Sequence, residues 1–206
     1  MTNDDLNRLS RNEQRIMEGQ TINFVRDIPT FPYCNLEELR SSMQSGGVTI
    51  AMAEGIFYQP DLFWAFGTRA EILIYCFWLT FLGALWIAYI AAAILTAKLM
   101  FLWGLGTSLI GIVLSGPRIT RLTSPLIGLS GILLIFSIFT NHSWAWVIVG
   151  FDAGYIFTAT ATTHANTVLI NRALHSEVLF CHMYFSRVII LKKQGNQPSV
   201  NQGKNS

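Results

Sequence analysis

Residues 72–96 constrain the fold of this sequence more than any other feature, because 25 consecutive residues carry no charged side chain. Glu71 and Lys98 flank this run. A helix of that length extends roughly 37 Å, which exceeds the ~30 Å hydrocarbon thickness of a bilayer. Composition agrees, since 51% of the residues are hydrophobic and only 13% are charged, about half the usual share of a soluble domain. The sequence therefore predicts an integral membrane protein with the lipid bilayer as its surroundings.

Three further apolar segments follow residues 72–96 closely. The second ends at Gly116-Pro117, and the third has Pro125 in its first turn, where proline is tolerated. The fourth begins near Trp144 and Trp146, residues typical of the membrane interface. We therefore predict an all-α fold, a four-helix transmembrane bundle over residues 71–164, with spans at about 72–96, 99–116, 124–141 and 143–163.

The turn between the first two spans is open to two interpretations. The sequence LTAKLMF contains neither glycine nor proline, so only Lys98 separates the two apolar segments. One interpretation is a tight turn between two full spans. The other is a bent helix with a re-entrant segment.

The N-terminal region, residues 1–70, is polar and holds most of the acidic residues. We predict a helix over 3–18 with Asn3 or Asp4 as its N-cap, and a second helix begun by Asn35. Residues 48–58 fit either a strand or a helical turn, because periodicity does not separate the two at that length. Residues 60–69 are interpreted as a segment lying against the lipid headgroups. The region as a whole is expected to be cytoplasmic or interfacial.

The C-terminal region is expected to lie beneath the membrane. Residues 165–193 contain an apolar run too short and too interrupted to cross, so we predict a cytoplasmic interfacial segment with an interfacial helix, anchored by Lys192 and Lys193. Residues 194–206 have the composition of a disordered tail. Four spans with both termini in the cytoplasm place 13 Lys and Arg residues inside and Lys98 alone outside, as the positive-inside rule requires.

Small residues at four-residue spacing predict which helix faces meet. Such spacing allows two helix backbones to approach closely in lipid, where packing holds helices together. The strongest instance is the GxxxG of Gly150 and Gly154 in the fourth span. The predicted packing residues are Gly150, Gly154, Gly104, Ser108, Gly111, Ser115 and Gly128.

Asp152 stands in the middle of the fourth span, about 13.5 Å along the helix from Ser143. A carboxylate at that depth is costly and needs a partner or a task. Its helix face continues through Tyr155, Thr163 and Asn166, which we group with it as an intramembrane polar site. One interpretation is structural, with Asp152 hydrogen-bonded to Tyr89, Ser130, Ser137 or a backbone carbonyl. The other is an ion- or proton-responsive group reached from the cytoplasm.

No motif in the sequence indicates chemistry. There is no nucleophile, zinc-binding or phosphate-loop motif, the histidines lack ligand spacing, and the three cysteines form no CxxC pair, so we expect no catalytic residue, metal or cofactor. A net charge of +2 does not suggest nucleic acid as a partner. The leading hypothesis is a non-enzymatic membrane subunit that assembles with itself or with other membrane proteins. The alternatives are a channel or transporter element that uses Asp152 and, third, a membrane-embedded enzyme.

Overall fold

The computed structural model describes residues 2–53, 60–115, 130, 132–133 and 145–193. The chain divides into two compact units, one formed by residues up to 53 with those from 169 onward, the other by residues 54–168. In chain order the elements are α1 (Asn3–Gly19), a 3₁₀ turn (Val25–Asp27), α2 (Leu36–Gln44), β1 (Val48–Met52), α3 (Pro60–Phe66), α4 (Arg69–Thr96), α5 (Met100–Leu114), α6 (Ala145–Ala173), α7 (Glu177–Phe185) and β2 (Ile189–Lys193).

Side-chain caps begin the two N-terminal helices. Asn35 Oδ1 accepts the Glu38 backbone N–H at 2.8 Å, which confirms Asn35 as the cap of α2. The cap of α1 is Thr2, so the prediction of Asn3 or Asp4 was wrong by one or two residues. Thr2 Oγ1 accepts the Asp5 N–H while Asp5 Oδ2 accepts the Thr2 N–H, a reciprocal arrangement that satisfies two backbone donors at once.

The first unit is built from both ends of the chain. β1 and β2 pair antiparallel, with Val48 opposite Lys193 and Met52 opposite Ile189. Two strands alone are marginally stable, so packing against helices has to support them. α7 supplies that packing, because Leu179, Phe180 and Met183 are fully buried.

The apolar C-terminal run packs against other parts of the chain, which the sequence did not predict, and its location at the membrane interface stays a prediction. Residues 165–193 were expected to lie in the membrane interface, with a single helix half-sunk among headgroups. In the structure α7 and β2 contribute core side chains, and Phe31 packs edge-on against Phe180 and Tyr184 at 5.8 and 5.3 Å between ring centroids. The physical reason is that N-terminal segments cover the apolar side chains that the sequence alone leaves without a neighbour.

The second unit contains the apolar helices. α4 begins with a reciprocal cap between Thr68 and Glu71 and ends at Ala97, whose φ of 52° is left-handed. α4 and α6 are long and apolar enough to cross a membrane, and α5 is a shorter apolar helix. Its 15 residues extend only about 22 Å, less than the ~30 Å hydrocarbon thickness, so α5 is shorter than the predicted span 99–116.

The described residues thus contain two helices long enough to span a membrane and one shorter apolar helix, and they do not confirm a four-span bundle. The helix expected at 72–96 begins earlier, at Arg69, and the one expected at 143–163 runs on to Ala173. The predicted span 124–141 lies outside the described residues except for Ser130, Ile132 and Leu133, which are helical. The described part of 48–58 is the strand β1, and the predicted tail 194–206 lies outside the described residues.

Candidate functional site

Asp152 is hydrogen-bonded in the structure. Its Oδ1 accepts the Ser130 hydroxyl at 2.5 Å. Ser130 is one of the partners that the sequence suggested. Tyr89, another suggested partner, donates to the backbone carbonyl of Trp146 at 2.6 Å instead, and Ser137 lies outside the described residues. The Asp152 carboxylate therefore joins α6 to the chain around Ser130.

The residues grouped with Asp152 occupy different surroundings along α6. Tyr155 is buried, whereas Thr163 is exposed. Asn166 Oδ1 is buried and accepts no hydrogen bond from the described residues, and the same holds for Thr158 Oγ1. These four residues of α6 thus differ in their exposure and hydrogen bonding, and the intramembrane polar site stays a prediction.

An open groove lies on α6 beyond Asp152, and it is rich in hydroxyl groups. It measures about 450 Å³ and is lined by Ala159, Thr160, Thr163, His164 and Thr167. The imidazole ring of His164, one of the lining residues, is held by a contact of 3.2 Å between its Nε2 and the Glu71 carbonyl oxygen. Asp152 does not line this groove. The groove presents hydroxyl and imidazole groups but no carboxylate.

The predicted small-residue faces of α5 and α6 pack against each other within the chain. A Cβ atom added to Gly150 would lie within 3.0 Å of the Gly104 backbone, and one added to Gly154 would meet the Ser108 backbone as closely. Farther along, a Cβ on Gly111 would meet the backbone of Phe151 and Tyr155. These contacts require residues without a side chain, because backbone atoms cannot move aside as a flexible side chain can.

Polar side chains reinforce this helix contact. Trp86 Nε1 on α4 donates to Ser108 Oγ on α5 at 2.9 Å, and Thr107 Oγ1 donates to the Val147 carbonyl at 2.7 Å. Ser115 is buried, but its hydroxyl donates to the Ile112 carbonyl of its own helix. Gly128 lies outside the described residues. Three helices of the second unit are therefore joined by hydrogen bonds as well as by close packing.

The first unit contains a polar cluster that the sequence analysis missed. The Arg40 guanidinium donates to the carbonyl oxygen of Leu174, immediately after α6, with 2.7 Å between Nε and that oxygen. Glu177 Oε2 accepts the Val25 N–H at 3.4 Å. Both pairs are more than 130 positions apart in the sequence, and no local pattern predicts contacts at that separation.

Titratable groups of α7 are shifted by burial. Burial, with the negative charges of Glu177 and Asp27, raises the pKa of the Cys181 thiol to about 11. Burial also lowers the pKa of His182, because the charged imidazolium is disfavoured away from water. Both shifts favour the neutral form. Among the residues that the structure describes, no group of three or more His, Cys, Asp or Glu side chains is placed to hold a metal ion.

The described residues define a mostly helical chain with two helices that are long and apolar enough to cross a membrane. Its polar side chains in the apolar unit hydrogen-bond chiefly to neighbouring helices and to the backbone. No protein-family model matches this sequence, and no curated protein or solved structure shows significant similarity to it.

Proposed function

We propose that this chain is a multi-pass membrane protein that acts as a non-enzymatic subunit of a larger membrane assembly. The observation that carries the proposal is that the described residues 2–53 and 169–193 belong to one compact unit, while the helices between them are apolar. Only 11% of the most apolar part of α4 is buried, so most of that surface is available to lipid.

The pairing of β1 with β2 supports an even number of crossings. Residues 48–52 precede α4 and residues 189–193 follow α6, yet they are neighbours in one antiparallel sheet. Strands that share backbone hydrogen bonds lie on the same side of a membrane. The basic residues of the two ends favour the cytoplasmic side, because Lys and Arg are enriched in cytoplasmic segments near span ends.

Contacts within the second unit support four crossings rather than two. The helices α4 and α5 are antiparallel. Tyr89 contacts Gly104, whereas the earlier residue Trp86 contacts the later residue Ser108. The helices α5 and α6 are parallel, because Gly104 contacts Gly150 and, four residues later on both helices, Ser108 contacts Gly154. Two consecutive parallel helices require the chain to return between them. Most of residues 116–144 lie outside the described residues, and we propose that they make this return and contain the third span at 124–141.

The bond between Ser130 and Asp152 agrees with this path. Ser130 is near the middle of residues 116–144, and Asp152 is a few residues past the Gly150 contact on α6. A returning helix would bring its midpoint to that level. The 22 Å length of α5 implies that the second crossing uses a few residues on either side of the helix, or that the bilayer thins locally.

The exposed side of α1 is the surface that we propose for assembly. Leu6 and Met17 are 50% and 42% exposed, although α1 packs against α7. They are 11 positions apart and therefore about 20° apart around the helix, so both lie along one line. We base the proposed binding surface on the alignment of these two exposed apolar side chains along an otherwise polar helix.

The molecular mass in mild detergent tests assembly. Light scattering should give a polypeptide mass above the 23.1 kDa of one chain. Changing both Leu6→Asp and Met17→Asp should reduce that mass. The matched control changes Asn7→Asp and Gln14→Glu, which are exposed polar positions of the same helix. A wild-type mass of one chain, or equal masses for both variants, would contradict assembly through α1.

A second candidate function, ion or proton movement through the apolar unit, has one observation in its favour. The groove of Thr160, Thr163 and Thr167 lies on the part of α6 that follows Asp152. Hydroxyl groups can line a path for water or ions toward an intramembrane carboxylate. A pH-dependent flux in reconstituted vesicles that is lost in Asp152→Asn would favour this candidate over the first.

A further inference from the structure

An apolar notch lies beside α4 near its C-terminal end, within the second unit. It is a half-open cavity of about 240 Å³, lined by Leu85, Ala88, Tyr89, Ala92, Phe101 and Trp146. Ala88 and Ala92 are one helical turn apart and form a shallow floor, because each has only a methyl side chain. The rings of Phe101 and Trp146, 5.9 Å apart between centroids, form one wall.

The described lining of the notch is almost wholly apolar. Tyr89 is the one lining residue with a hydroxyl, and that hydroxyl donates to the Trp146 carbonyl at 2.6 Å. An apolar cavity of about 150 Å³ stays dry and binds benzene in an engineered protein, so a larger apolar cavity is suited to hydrocarbon rather than water. The chemistry of the notch therefore selects an uncharged, purely apolar occupant.

The notch continues the exposed apolar surface of α4. Ala88 is itself exposed, and its neighbour Ile87 is 69% exposed. Ile94, which lies about 20° around the helix from Ile87, and Leu95 are 75% and 84% exposed, so this apolar surface borders one side of the notch. An occupant that enters from this surface passes over apolar side chains only. If the surface faces lipid, as the proposed function has it, the nearest hydrocarbon is a lipid chain.

We propose that the notch binds one acyl chain of a bilayer lipid, a site that rests on the proposed membrane location of α4. The two alanines leave room for the chain, and the aromatic wall packs against its methylene groups. An acyl chain held in the notch would contact α4, α5 and α6 together, because the lining residues come from all three helices. The predicted ligand is the hydrocarbon chain, and the proposal does not depend on the chemistry of the lipid headgroup.

Photo-crosslinking with a defined lipid tests the site. The protein is reconstituted in nanodiscs of phosphatidylcholine that carries a diazirine in one acyl chain, and crosslinked positions are mapped by mass spectrometry. We expect adducts on Phe101 and Trp146 in the wild type. Ala92→Phe fills the notch and should reduce these adducts at least fivefold. Ala91→Phe places the same side chain on the neighbouring, exposed position outside the notch and should leave them unchanged.

The outcomes separate the notch from the membrane location. Adducts on Ile94 and Leu95 without adducts on Phe101 or Trp146 would overturn the notch and leave the membrane proposal standing. Absence of adducts at all four positions would overturn both. Equal adduct yields in Ala92→Phe and Ala91→Phe would also overturn the notch. If Ala92→Phe does not fold, Ala88→Phe fills the same floor and gives the same comparison.

Discussion

Gly150 on α6 lies so close to the backbone of Gly104 on α5 that no Cβ atom fits between them. Gly154 and Ser108 repeat the contact one turn later. The GxxxG pair of α6 is therefore covered by a helix of the same chain. The proposed assembly with other chains therefore relies on a different surface, the exposed side of α1.

Gly150→Ala should destabilise the helix contact. The added methyl meets backbone rather than a movable side chain, so overpacking should cost on the order of 1 to 3 kcal/mol. Gly106→Ala on α5 is the matched control, because a Cβ there meets nothing within 4 Å and alanine is the better helix former by up to ~1 kcal/mol. Thermal unfolding in detergent measures both. A lower melting temperature for Gly106→Ala than for Gly150→Ala would contradict the packing.

Asp152→Asn should preserve the link to Ser130, because an amide oxygen accepts the same hydrogen bond. Asp152→Leu removes the acceptor and leaves the Ser130 hydroxyl with one partner fewer, which should cost about 1 to 3 kcal/mol. Ser130→Ala should weaken the same contact from the other side. Unfolding midpoints of the three variants test this order. A folded Asp152→Asn protein that has lost all function would favour the ion-conducting candidate.

Ala97→Gly should stabilise the turn after α4. The φ of 52° at Ala97 is costly for a residue with a Cβ, and glycine adopts it freely, so we expect a gain of up to ~1 kcal/mol. Ala93→Gly, within the same helix, should instead lose about that amount. An Ala97→Gly protein no more stable than wild type would argue against a turn at this position.

Cys181 should react more slowly with iodoacetamide than Cys34. Cys34 is exposed, whereas Cys181 is fully buried and burial raises its pKa to about 11. Between pH 9 and 11 the folded protein therefore keeps the thiol proton of Cys181. An unfolded thiol, with an ordinary pKa of 9.0, has released its proton in that range. This contribution to stability is complete below pH 9 and is lost as the pH rises toward 11.

The comparison of Cys181 with Cys181→Ala isolates this effect. The unfolding free energy of the protein with Cys181, measured relative to that of Cys181→Ala, should fall between pH 9 and 11. Alkylation mapped by mass spectrometry at pH 8 should label Cys34 and leave Cys181 intact until the protein unfolds. Equal labelling of both thiols would contradict the burial of Cys181.

Local patterns predicted the elements whose causes are local. The cap at Asn35 and the uncharged run of α4 are read from neighbouring residues, and so is the small-residue spacing at Gly150 and Gly154. The sequence did not predict the pairing of β1 with β2 or the contact of Arg40 with Leu174, because those partners are far apart in the chain. It also did not predict that distant parts of the chain cover α7, since an apolar segment covered by protein has the same local pattern as one covered by lipid.

The side of the membrane on which three positions lie tests the central claim, four crossings with both ends in the cytoplasm. Single cysteines are introduced at positions 10, 142 and 195 in a background that carries Cys34→Ser, Cys76→Ala and Cys181→Ala, because any native thiol could also react. They are then labelled in sealed cells with a maleimide that does not cross membranes. Position 142 should label from outside, and positions 10 and 195 only after the cells are opened. Labelling of position 142 from the same side as position 195, or of positions 10 and 195 from opposite sides, would contradict the account.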